Sequence, residues 1–246
     1  MDEISKKVLD MYSVFPYPLP TPENRKSTEL LNLLRIFCLE NQYSLSSKRI
    51  LDAGTGTGHR LLEVASFFKN NNYTAIDFSS RSLGIAKEIA AAKSLKNIEF
   101  KNMDLTVDLS ELGRFDIILC MGVLHHLSDP SKGLRNLYKI LNDSGLIFLY
   151  LYGKLGGTKR MARKKILSLL LGGNISDYEK GIQLVREMEF DAFEYGWNLD
   201  YQSDQERNSL IVDSFLHANE KLYDLNDIDK LMSNTDLYGY SIFGIT

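Results

Sequence analysis

Three carboxylates at the ends of apolar runs, Asp52, Asp77 and Asp104, are spaced to take hydrogen bonds from one bound ligand. Asp52 heads the stretch Asp52-Ala-Gly-Thr-Gly-Thr-Gly58. Gly54, Gly56 and Gly58 let that backbone turn sharply and approach a ligand, because no Cβ stands in the way. The amphipathic segment from Arg60 to Lys69 then supplies a helix whose unsatisfied N–H groups face the same ligand. Asp77 stands nineteen residues beyond Gly58, near the distance at which nucleotide-binding folds place an acid for the ribose hydroxyls. A strand-end Asp can instead cap a helix, but Ser79 and Ser80 are equally good caps for a helix over Arg81–Ser94. Met103-Asp104-Leu105 follows a third strand. There the acid suits an exocyclic amine, and an apolar neighbour suits the face of the ring that carries it.

The groups that could move a proton lie elsewhere. His125-His126 follows the apolar run Arg114–Met121, and either ring could line a pocket. Adjacent side chains diverge and no cysteine or carboxylate cluster completes a coordination sphere, so no metal is expected. His217 can titrate near neutrality, which makes it the first candidate for a base or a carboxylate's partner, with His126 the second. Tyr150 and Lys154 have the Tyr-x-x-x-Lys spacing of short-chain NAD(P)-dependent dehydrogenases. That chemistry needs both groups on one helical face, and the β-rich run with Gly153 argues against it. The basic run Lys159–Lys165 reads as a solvated face, with contact to an acidic substrate or peptide as the alternative. Cys38 and Cys120 both sit in apolar stretches and read as core thiols.

The elements that must position these groups follow from periodicity. Residues 1–46 hold a short helix, the proline-rich turn Phe15–Pro22 and a helix over Asn24–Tyr43. That helix is apolar on more than one side and is therefore expected to be well buried. Residues 47–152 alternate strand and helix five times, the pattern of a doubly wound, mostly parallel α/β sheet. Residues 153–220 read as a helical insertion after strand five. Residues 221–246 return to the core with a helix near Leu225–Ser233 and a strand near Leu237–Ile245. With 246 residues and 44% apolar content, one domain with an accessory cap is the natural size. A net charge of −3 gives no field to attract nucleic acid or an anionic membrane. The start Met-Asp-Glu-Ile is not that of a signal peptide, and the run Ile117–Leu124 is too short to cross a bilayer. A cytoplasmic protein with no disulfide framework is expected.

Asp52–Gly58, Asp77, Asp104 and the run from Phe115 through Val123-Leu-His-His-Leu127 together resemble a class I S-adenosylmethionine-dependent methyltransferase, from about Lys48 to Gly153. The Phe15-Pro-Tyr-Pro18 start and the grouping of Asp213, His217 and Tyr223 resemble a type 11/12-like bacterial subgroup. The resemblance implies a Rossmann-like fold with S-adenosylmethionine as cofactor. It implies that Asp52 and the loop Gly54, Thr55, Gly56 and Gly58 hold the methionine part. Asp77 with Phe78 would take the ribose, Asp104 with Leu105 the adenine, and Met121 would lie near the sulfonium. The family sheet normally closes with a sixth strand and an antiparallel seventh. This chain reads only as far as a sixth, so a homodimer or a fused second domain is expected.

Methyl transfer from a sulfonium is an in-line displacement, which asks mainly for positioning. A base is needed only when the acceptor must lose a proton. Met121-Gly-Val-Leu-His is not the Asn/Asp-Pro-Pro-aromatic turn that holds base or glutamine amines. Cys120, inside a strand, is not the loop cysteine of cytosine C5 chemistry. The remaining expectation is O-methylation of a hydroxyl or carboxylate on a small natural-product metabolite or peptide, possibly within a bifunctional tailoring enzyme. Tyr12, Tyr17, Tyr152, Trp197, Asp213 and Tyr223 are the candidate acceptor-binding residues. The rival is a catalytically inactive scaffold that binds the cofactor and acts as a regulatory subunit.

Overall fold

The alternating strands and helices assemble as a five-stranded parallel sheet in the order β3-β2-β1-β4-β5. The computed structural model describes residues 2–19, 28–190, 203–233, 235–237 and 239–241. Its strands are β1 (Arg49–Ala53), β2 (Asn72–Asp77), β3 (Ile98–Asn102), β4 (Phe115–Met121) and β5 (Leu141–Tyr150). The connecting helices are α3 (His59–Phe67), α4 (Ser80–Ala92) and α5 (Pro130–Lys139). Central strands of such a sheet are buried on both faces and read as continuous apolar runs. Accordingly Ile117 and Leu119 of β4 face one core with Ile50, while Ile118 and Cys120 face the other with Leu51 and Ala53. Strand order reverses between β1 and β4, and ligands bind at the carboxyl ends of strands beside such a switch point.

Helices outside the sheet build a cap with its own core. Ahead of the sheet lie α1 (Glu3–Val14) and α2 (Glu29–Glu40). After it come α6 (Lys154–Leu170), α7 (Tyr178–Glu187), α8 (Asp204–Phe215) and α9 (Leu225–Met232). Met11 of α1, Leu167 of α6, Ile182 and Val185 of α7, and Val212 and Phe215 of α8 form one apolar cluster apart from the two sheet cores. Asp2 caps α1 by accepting from the Ser5 N–H, and Ser203 opens α8 with a reciprocal capping box to Glu206. Both devices satisfy N–H groups that the first helical turn leaves unpaired.

Three expectations need correction. Helix α2 is buried on one side only: Leu30, Leu31 and Leu34 pack inward, whereas Leu39 is 79% exposed and Ile36 41%. Its inward stripe packs on α3 and on the sheet face that carries Ile50 and Ile117, so one stripe suffices. In the basic run, Arg160 and Lys164 are buried rather than solvated. Their four-residue spacing puts both on the inner face of α6, and there the Glu220 carboxylate pairs with them, at 2.9 Å from Lys164 Nζ. The expectation that Tyr150 and Lys154 do not share a helical face holds, since Tyr150 ends β5 and Lys154 begins α6. Finally, residues 235–237 and 239–241 carry no strand, and the rest of the expected sixth strand lies outside the described residues.

Candidate functional site

Strand β1 delivers Asp52 and then a left-handed turn. Gly54 and Gly58 have φ of 84° and 81°, a region that L side chains with a Cβ avoid. Close packing adds to the need. A Cβ on Gly54 would stand 2.4 Å from a Val123 methyl, and one on Gly58 would stand 2.9 Å from the Ala86 Cβ. The first contact seats the glycine loop against the turn after β4, and the second seats α3 against α4.

Asp77, at the end of β2, ties that loop down. Its carboxylate accepts from the Gly56 N–H and the Ser79 N–H, both at 2.8 Å. Each oxygen keeps a further lone pair for a ligand. Burial pushes Asp52 and Asp77 up to about 6, against the pull of Arg60 on Asp52 and of backbone N–H groups on Asp77. Asp104 accepts from the Thr106 N–H at 2.8 Å, which fixes the bend that follows β3. Burial pushes His59 down to about 3, and its Nδ1 has no hydrogen-bond partner among the described residues.

One cavity of about 890 Å³ joins these groups to the cap. Asp52, Gly54, Thr55, Gly56, Asp77, Phe78, Asp104, Leu105 and Met121 all line it, as do Tyr12, Tyr17, Tyr152, His126 and Asp213. Gly58 stands behind the loop as the α3 cap. Tyr223 is elsewhere: its ring joins the sheet core with Leu231, and its backbone pairs with Gly153. Trp197 lies outside the described residues. His217 is buried but does not line the cavity, since His126 stacks on it with ring centroids 3.7 Å apart.

The cap end of the cavity holds a linked set of polar groups. The Tyr12 hydroxyl donates to Asp213 Oδ1 at 2.9 Å and lies 3.2 Å from His217 Nε2. His126 Nδ1 is 2.8 Å from the Asn219 carbonyl, and the Asn219 N–H donates to His217 Nδ1 at 3.1 Å. The Asn219 side chain donates to the carbonyls of His126 and Leu127. Burial pushes His126 down to about 4, countered in part by the Asn219 carbonyl and Glu220. Burial also pushes Asp213 up to about 6, countered by the Tyr12 hydroxyl. His126, Asp213 and His217 offer ligand atoms within 4.8 Å of one another, so His126 is grouped with a distant histidine and one carboxylate rather than with its neighbour His125. The His125 ring does not diverge from its neighbour: it stays 4.1 Å from the His126 ring and stacks on Tyr152 at 3.9 Å.

Sequence reasoning missed Arg60 and Asn219. Arg60 lines the cavity and reaches the Met121 carbonyl at 3.3 Å. Its place directly after the glycine loop was a readable signal. Asn219 works through its backbone as much as its side chain, and nothing in its type announces that.

The residues present fit S-adenosylmethionine. A glycine loop open to the cavity, buried acids at the ends of β1 and β2, a cation at Arg60 and the unpaired His59 Nδ1 complement a zwitterionic nucleoside. Residues 44–168 match the family described as "Methyltransferase domain". An uncharacterised protein of Synechococcus sp. is 29% identical over 96% of this chain and 59% of its own length. A ubiquinone biosynthesis O-methyltransferase of Coxiella burnetii is 32% identical over 50% of this chain and 51% of its own. The chain thus spans between half and three fifths of these relatives. The solved structure of PKMT2 from Rickettsia typhi, 18% identical, superposes with a TM-score of 0.57 over 93% of this chain and 42% of that one. Among the described residues, no helix is long and apolar enough to cross a membrane.

Proposed function

Because this chain belongs to the class I S-adenosylmethionine-dependent methyltransferases, we propose that it methylates an oxygen of a small metabolite or peptide. S-adenosylmethionine is its methyl donor. The observation that carries the choice of acceptor atom is the character of the cap end of the cavity. There the Asp213 carboxylate and the His126 imidazole stand among Tyr12, Tyr17 and Tyr152, groups suited to orient an O–H on an aromatic or amphipathic molecule. The Coxiella burnetii relative, which matches half of this chain, bears the name of an O-methyltransferase.

In this reading the chain's residues divide the work by position. Asp77 accepts the ribose hydroxyls and Asp104 the adenine amine, while Leu105 and Phe78 pack beside the ring. Asp52, the Gly54–Gly58 backbone and Arg60 hold the amino-acid end, where Arg60 meets a carboxylate. The bound cofactor supplies a methyl group on a positively charged sulfur. The protein's part is to align an acceptor oxygen behind that methyl and to exclude water, which lowers the barrier mainly through orientation.

Calorimetry with S-adenosylmethionine tests the cofactor site: Asp77→Ala is expected to weaken binding at least ~10-fold, a loss of hydrogen bonds to ionised oxygen. Equal binding by the variant would remove Asp77 from the site. Incubation with labelled cofactor and a panel of phenols, aliphatic alcohols and carboxylic acids then tests turnover. Binding without any labelled product would favour the inactive scaffold.

A further inference from the structure

Two buried histidines at the cap end are held by the two faces of one peptide residue, and the two contacts differ in sign. His126 Nδ1 meets the Asn219 carbonyl, which can only accept, so Nδ1 carries the hydrogen. His217 Nδ1 meets the Asn219 N–H, which can only donate, so Nδ1 is bare. A neutral imidazole has one hydrogen. His126 therefore presents a bare Nε2, and His217 presents Nε2–H to the Tyr12 oxygen. Tyr12 passes its own hydrogen to Asp213 Oδ1. The chain of donors runs from Asn219 through His217 and Tyr12 to Asp213, and every hydrogen in it is committed.

We infer that Asn219 is a positioning residue that locks the two histidines in opposite tautomers, leaving His126 Nε2 as the group that takes the proton of a hydroxyl acceptor. This rests on the methyl-transfer reading above and deepens it. His126 lines the cavity, and its Nε2 has no hydrogen-bond partner among the described residues. As the acceptor oxygen bonds to the methyl carbon, the carbon–sulfur pair leaves with the sulfur and the O–H proton passes to Nε2. One positive charge thereby moves from sulfur to imidazole, with no change in total. The Asp213 carboxylate, within 4.8 Å of the ligand atoms of both histidines, stabilises that imidazolium as a buried acid does beside a catalytic histidine. The same arrangement selects the acceptor. A bare nitrogen and a carboxylate reward a group that brings a hydrogen, so a hydroxyl fits here and a carboxylate is repelled.

A divalent cation is the competing occupant, because two histidines and one carboxylate form a familiar ligand set. The contacts oppose it. A metal-bound imidazole gives the hydrogen on its other nitrogen to an acceptor, yet His217 Nδ1 receives one. The rings also stack within 17° of parallel, so their in-plane lone pairs do not converge on a point.

The test is ¹⁵N–¹H correlation of the histidine rings in the whole protein at pH 7, without and with S-adenosylhomocysteine. The expected pattern is Nδ1–H for His126 and Nε2–H for His217 in both states. Asn219→Ala, which loses the side-chain bonds that hold its backbone in place, is expected to give mixed tautomers at His126 while S-adenosylhomocysteine still binds. An Nε2–H form of His126, an Nδ1–H form of His217, or stoichiometric Zn²⁺ binding that moves both Nε2 signals would overturn the assignment. Those results would leave the cofactor site standing. Failure of S-adenosylhomocysteine to bind the wild-type protein would instead remove the methyl-transfer reading.

Discussion

At Asp52 the needs of binding and of stability pull in opposite directions. Its carboxylate is buried and pushed up to about 6 by that burial. An acid raised in this way contributes stability at low pH, which is lost as pH rises through the folded value. Asp52→Asn is therefore expected to raise the melting temperature of the free protein at pH 8, on the order of 2–4 °C for ~1 kcal/mol in a chain of this size. At pH 4 the variant should match the wild type, and its affinity for S-adenosylmethionine should fall; a scan at the two pH values checks the sign. The histidines give a second residue-level prediction, once an acceptor from the hydroxyl panel turns over. His126→Asn keeps a donor near Nδ1 and removes Nε2, so kcat should fall about 10²–10⁴-fold, the usual weight of a general base. His217→Gln keeps a donor near Nε2 and should cost less than about tenfold. The reverse order would return the base role to His217. The sequence made both rings candidates, but their roles depend on Asn219, which lies 93 residues from His126 and 2 from His217. Residue type reports what a ring can do, and only its partners report which nitrogen does it.

The glycine loop shows how elements specify one another. Gly54 lets β1 turn, and the missing Cβ also makes room for Val123 in the turn after β4. Gly54→Ala is expected to destabilise the fold by about 1–3 kcal/mol through overpacking and backbone strain. Gly54→Ala with Val123→Ala should recover part of that loss and not all, because the positive φ remains. Denaturant unfolding of the three variants as a double-mutant cycle separates the two causes; strict additivity would mean the clash is relieved some other way. Most of this level was legible. The strands announced themselves as apolar runs, and the acids at their ends as a ligand's partners. What stayed hidden was long-range pairing: Arg160 and Lys164 read as a solvated stripe because Glu220, 56 residues on from Lys164, gives no sign of its place. Helix α2 misled in the opposite sense, since its apolar content exceeds the surface available to cover it.

At the scale of the molecule, the cap and the sheet share one cavity but keep separate cores. Helix α1 belongs to both arrangements. Met11 sits in the cap core, Ser5, Val8 and Tyr12 line the cavity, and the segment beyond it rests on the glycine loop, where Thr57 donates to the Pro18 carbonyl. Entry of the donor past that segment is expected to displace α1 and with it the Tyr12–Asp213 bond. The acceptor's seat is then incomplete until the donor is in and the segment has closed over it. The kinetic consequence is a compulsory order, with S-adenosylmethionine on first and S-adenosylhomocysteine off last. Product inhibition by S-adenosylhomocysteine should be competitive against the donor and noncompetitive against the acceptor, and a random-order pattern would contradict it. A helix that helps to build two subsites thereby makes each turnover a sequence in time.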